Sequence, residues 1–140
     1  MSQSASTSAL LAVTAVHVGF QLVVTAVVYP AFAEVKSEEW VAYHAAHSRR
    51  ITGVVVVVYG LVLAGCGWVL IDGAVDIATA VSVVASGLAL LVTVMLAAPA
   101  HRRLTFERRD GELAGLRRAD YLRSAAAMIA ALAAGWAALT

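Results

Sequence analysis

Four apolar blocks dominate the 140-residue chain, at residues 9–29, 51–71, 77–98 and 124–139, and they leave few solvents in which it can fold. Overall 61% of the residues are hydrophobic and 14% charged, against roughly 25% charged in a soluble domain. A hydrocarbon core of about 30 Å takes ~20 residues of helix to cross, a length the first three blocks reach. The fourth reaches it if its helix begins upstream, near residue 121. Lipid offers no partner to an unpaired peptide group, and no block alternates in the manner of a barrel strand, so each is read as a helix. The expected fold is therefore all-α: a single-domain four-helix transmembrane bundle with spans at about 9–29, 51–71, 77–98 and 121–139. The segments 30–50 and 99–120 connect them.

All ten basic residues fall in the second and fourth of the five non-spanning segments or at their edges. Lys36, Arg49 and Arg50 lie between the first two spans. Arg102, Arg103, Arg108, Arg109, Arg117, Arg118 and Arg123 lie between the last two. Four spans put these connections on one side of the membrane, and positive charge marks that side as cytoplasmic. Both termini and the acidic turn Asp72 to Asp76 are then outside, which makes a multi-pass protein of a cytoplasmic membrane. Met1–Ser8 carries no Lys or Arg, so it reads as a short tail rather than a cleaved signal. The lone Cys66 sits in an apolar run and can form no disulfide within the chain. The basic clusters suit anionic lipid better than nucleic acid, since Phe106 is the one aromatic between the basic pairs.

Pro30 and Pro99 are expected to end the first and third helices, because proline disfavours helical geometry in the residue before it. The two breaks read alike, Tyr29-Pro30-Ala31-Phe32 and Ala98-Pro99-Ala100-His101, a hint of two related hairpins. Ser37, followed by Glu38 and Glu39, suits the start of the second helix, which extends well beyond the membrane on the cytoplasmic side. Asp110-Gly111-Glu112 reads as a breaker ahead of the fourth.

Polar residues then stand out against this background. Trp40, His44, His47, Ile51 and Val54 follow one helical stripe, and His44 and His47 lie one turn apart on it, close enough to converge on one object. His101 and Asp120 are expected at the same level from the third and fourth helices. Imidazole with carboxylate suits Zn, Fe, Cu or Mn, or a haem, and makes His44, His47, His101 and Asp120 the candidate metal ligands. Glu34, Glu38 and Tyr43 are candidate neighbours of that site, with Tyr43 a candidate catalytic group. The alternatives are interfacial histidines beside headgroups, a metal-free acid–base site, and, for Asp120, an ion pair with Arg123 one turn away.

Deeper in the first span lie His17 and Gln21, ~20 Å and ~14 Å from Pro30 along the helix. Ionisable groups at such depth face inward and carry function by default. With Tyr59 of the second span they are expected to shape a cavity, His17 as a catalytic or proton-relaying group and Gln21 and Tyr59 as cofactor contacts. A neutral His17 bonded to Ser82, Ser86 or Thr93 is the structural alternative.

At these residues the chain resembles the anthrone-oxygenase-like family of small four-helix bacterial membrane proteins. The matching pieces are Gly19-x-Gln21, Val28-Tyr29-Pro30, Trp40-x-x-Tyr43-His44-x-x-His47 and Pro99-x-His101-Arg102-Arg103-Leu104. Where the family reads asparagine-tryptophan-x-arginine-threonine, this chain has Asp120-Tyr121-Leu122-Arg123-Ser124. The resemblance implies a membrane-embedded site for a small aromatic or polyketide-like molecule and oxidation of an activated carbon. The leading expectation is accordingly a metal- or haem-dependent oxidoreductase acting on a hydrophobic substrate at the cytoplasmic end of the bundle. The competing expectations are a small dimeric proton-coupled transporter switched by His17, and a membrane anchor or electron-transfer subunit. A homo-oligomer fits four such short helices.

Overall fold

The structure, a computed structural model, describes residues 5–140. It is all-helical over those residues, with four helices long and apolar enough to cross a membrane. They are α1 (Ala5–Glu34), α2 (Trp40–Asp72), α3 (Ile77–Arg103) and α4 (Asp110–Leu139). The segment expected as an N-terminal tail is helical from Ala5 onward, and residues 1–4 lie outside the described residues. Valine-rich runs such as Val54 to Val58 would favour strands in water. In this chain they are helical throughout, the form that satisfies every backbone group within its own segment.

The prolines do not end their helices. Each is absorbed by one widened turn, Val24–Val28 ahead of Pro30 and Thr93–Ala97 ahead of Pro99. The amide of Tyr29 reaches back five residues to Val24 O, and that of Ala98 to Thr93 O. Proline has no N–H, and its ring collides with the carbonyl four residues before it. An extra residue in the turn relieves that collision, and the helix runs on to Glu34 or Arg103. The turn also rotates everything after it by about 100° relative to an unbroken helix.

The helix starts also differ from expectation. α2 begins at Trp40 after a turn over Ser37 to Glu39, and no side chain caps it. Asp110, Gly111 and Glu112 form the first turn of α4 rather than a break. Gly73 ends α2 in the left-handed conformation, with φ at 73°, where glycine has no Cβ to clash. Asp76 then caps α3 by accepting a 2.7 Å hydrogen bond from the amide of Thr79. That bond holds the exposed Asp76 carboxyl below its ordinary pKa.

α1 packs against α2 and α4, and α4 packs against α3. α2 and α3 barely approach each other, so the bundle has one open seam. Closeness elsewhere comes from small residues, as expected in lipid. A Cβ on Gly65 of α2 would fall 2.6 Å from a methyl of Val13 on α1, and Ala126, Ala127, Ala130 and Ala134 are buried along α4.

Two apolar clusters mark the ends. Leu10, Val62, Cys66, Val69 and Ala134 form one beside the acidic turn. Tyr29, Phe32, Trp40, Leu104, Leu116 and Ala119 belong to the other, at the arginine-rich end. Between them the core is polar. α1 buries Thr7, Thr14, His17 and Gln21, and α3 buries Thr79, Ser82 and Ser86, both at the three-and-four spacing of one helical face. The outward residues Val56, Val84 and Leu132 are 66%, 71% and 72% exposed. This inside-out polarity is what a lipid surround requires.

Candidate functional site

The open seam holds a cavity of about 350 Å³ between α2 and α3 at the arginine-rich end. Its floor is Phe20, Val24 and Val28 of α1, and its α2 wall is Ile51 and Val55 below His44 and His47. α3 supplies Thr93, Ala97 and His101, and α4 reaches in with Arg123 alone. The arrangement is amphipathic: imidazoles toward the end of the bundle, apolar walls below them, and the Arg123 guanidinium deeper, beside Tyr29.

His44 and His101, expected at one level from separate helices, meet. His44 Nε2 and His101 Nδ1 are 3.2 Å apart, sharing one hydrogen. The two rings stack with centroids 5.4 Å apart, and His47 stacks on His101 at 6.4 Å. Behind His44 lies Trp40, stacked at 5.3 Å, whose indole N–H donates to Leu104 O at 2.8 Å. Phe32 sets its edge against Trp40, His47 and His101 and is itself almost fully buried. His101 faces this cluster from the helical turn that follows the widened one.

Asp120 does not join them. Its Oδ1 pairs with Arg123 at 3.1 Å, and its Oδ2 accepts the Thr25 hydroxyl at 2.7 Å. Thr25 lies in turn 3.1 Å from the hydroxyl of Ser124. The carboxylate is buried with both oxygens engaged, and it borders a separate small recess with Pro30 and Ala33. The expected set of His44, His47, His101 and Asp120 thus does not assemble. Among the described residues no group of three or more His, Cys, Asp or Glu side chains is placed to hold a metal ion. Of the other expected site residues, Tyr43 is 40% exposed and lies off the cavity. His17, Gln21 and Tyr59 are buried behind it instead of lining it.

Arg123 is the residue whose importance the sequence understated. It is buried, and its Nη2 donates to both Asp120 and the Tyr29 hydroxyl, each at 3.1 Å. Its Nε–H has no protein partner, and the side chain lines the cavity. A buried guanidinium needs its counter-charge held in place, and Asp120, itself fixed by Thr25, does that. The signal was present: Arg123 is the basic residue nearest the fourth apolar block, one step before Ser124. Thr93, expected as a candidate partner of His17, instead bonds the Tyr59 hydroxyl at 2.6 Å and its own helix at Ala89 O.

Compared with family models, with curated proteins and with solved structures, the chain matches none of them.

Proposed function

We propose that the chain is a multi-pass protein of a bacterial cytoplasmic membrane, with its arginine-rich end in the cytoplasm. There it takes a hydrophobic small molecule from the lipid through the seam between α2 and α3 and acts on that molecule's polar end by proton transfer. One observation carries this reading: a cavity of about 350 Å³ whose walls are apolar, with His44 and His101 at its end and Arg123 deeper in it. The shared hydrogen between His44 Nε2 and His101 Nδ1 leaves His44 Nδ1 and His101 Nε2 to exchange a proton with a bound hydroxyl or an activated C–H group. An imidazole can accept a proton at one nitrogen and release one from the other. The free Nε–H of Arg123 suits the negative oxygen that forms when such a proton leaves. Removal of that proton is also what makes an activated carbon reactive toward dioxygen, so the oxygenase activity implied by the resemblance belongs to this same site.

Photoaffinity labelling tests the reading. A phenol carrying a diazirine, added to proteoliposomes, should label peptides containing Phe20, Ile51 and Val55, and His101→Phe should reduce that labelling several-fold. Labelling spread over the outward face around Leu132, unchanged by His101→Phe, would contradict it.

A metal-dependent oxidoreductase is the second reading, and one distance favours it. Two ligands about 2.0–2.1 Å from a tetrahedral ion stand about 3.3 Å apart, close to the 3.2 Å between His44 Nε2 and His101 Nδ1. Elemental analysis and an absorption spectrum of the purified protein, beside His44→Ala and His101→Ala, test it. A stoichiometric metal or a haem band lost in both variants supports it, and none in the wild type removes it.

A further inference from the structure

The polar core that separates the two apolar clusters plays no part in the cavity. His17 is fully buried with neither ring nitrogen partnered by protein, and Gln21, one turn on, is buried with both amide atoms unpartnered. On α3 the buried Ser82 hydroxyl is likewise without a partner. Groups of this kind are strongly disfavoured in a dry interior, and apolar residues of similar size would pack there without that cost. Hydrogen-bonded water is what satisfies such groups in proteins, where the site is polar and several partners converge. From Thr14 to Gln21 the buried polar face of α1 runs about 11 Å along the bundle, and at the level of Leu10 the polar line passes to α3, through Ser82 to Thr79.

The face is continuous with the cavity. The His17 ring meets the Tyr59 ring edge-on, with centroids 4.9 Å apart. Tyr59 bonds Thr93 at 2.6 Å, and Thr93 lines the cavity beside Arg123. We propose that the bundle axis is a proton path, in which His17 is the midway station between the cavity and the opposite face. The step is a plain exchange. One nitrogen of His17 accepts a proton from water on one side, and the other nitrogen releases its proton to water on the other side. The ring then returns to its first tautomer by rotation or by reverse exchange through its neighbours. The hydroxyls of Tyr59 and Thr93 pass the proton between this station and the cavity, and Gln21 and Ser82 orient the intervening water. No electron moves, and one proton enters for each that leaves. This holds whether or not the cavity takes a ligand.

The test uses the full chain reconstituted in phosphatidylcholine–phosphatidylglycerol vesicles with a trapped pH dye and a potassium diffusion potential set by valinomycin. The wild type should move protons faster than protein-free vesicles. His17→Gln keeps hydrogen bonding but cannot take up a proton, so it should fall to the protein-free rate while retaining helical circular dichroism and a single gel-filtration peak. Ser82→Ala should slow the flux without abolishing it, and Trp136→Phe, on the outward face, should leave it unchanged. A wild type no faster than protein-free vesicles, or a His17→Gln variant as fast as wild type, overturns the proposal. Neither result bears on ligand labelling in the cavity, so the two readings fail separately.

Discussion

The two hairpins, α1–α2 and α3–α4, use the same device for different ends. Each first helix widens by one turn, passes through proline, and presents the residue two beyond it to the same cluster. In the first hairpin that residue is Phe32, in the second His101, and their rings lie 6.3 Å apart. Phe32 is the packing centre, touching rings from both sides, whereas His101 pairs with His44 and lines the cavity. One backbone solution has thus been filled once with an apolar ring and once with an imidazole. The hairpins also close differently: α1 meets α2 through Gly65, while α4 meets its neighbours through alanines. Because α2 has α1 as its one close neighbour, the seam opens on the α2–α3 side, beside His101.

Breaking the apolar half of the pair should have the largest effect. Phe32→Ala removes the ring that supports Trp40, His47 and His101, and should cost about 3–5 kcal/mol, read as a lowered midpoint of thermal unfolding in detergent. His101→Phe makes the two hairpins alike but leaves the buried His44 nitrogen without its partner, and should cost about 1–3 kcal/mol, read from that midpoint. Gly65→Ala drives a Cβ against Val13 and should cost about 1–3 kcal/mol by the same measurement, whereas Ala at the open Gly87 should not destabilise. The smallest effect belongs to Asp76, which caps the second hairpin alone. Its carboxyl is held below its ordinary value by the Thr79 amide. Its contribution is therefore full above the unfolded pKa of about 3.9 and disappears as the pH falls through the folded one. Asp76→Ala should lower the midpoint at pH 7, and the difference from wild type should shrink as the pH falls below about 3.9.

The spans, the gathering of charge at one end and the shared level of His44 and His101 were legible in the sequence, since they follow from hydropathy, charge and the order of the helices. The prolines misled because sequence rules describe the average outcome of a missing N–H. Here a five-residue turn absorbs it, and the rotation that aims His101 is not written in any single residue. Asp120 misled for another reason. A carboxylate near histidines reads as a ligand, but the partner that claims its second oxygen is Thr25, an unremarkable residue inside an apolar block 95 positions away. Nor does hydropathy say which helices touch. The seam between α2 and α3 appears only once packing is known, and the cavity with it.

The direct test is the fluorescence of an Ile51→Trp variant, which puts an indole on the cavity wall, whereas Trp40 is fully buried behind His44. With Trp68→Phe and Trp136→Phe also in place, Trp40 is the one other tryptophan, and 4-bromophenol quenches indole on close contact. Saturable quenching in proteoliposomes, weakened when His101→Phe is added, is the result the account predicts. Quenching that rises linearly with 4-bromophenol, at the same slope with and without His101→Phe, would contradict it.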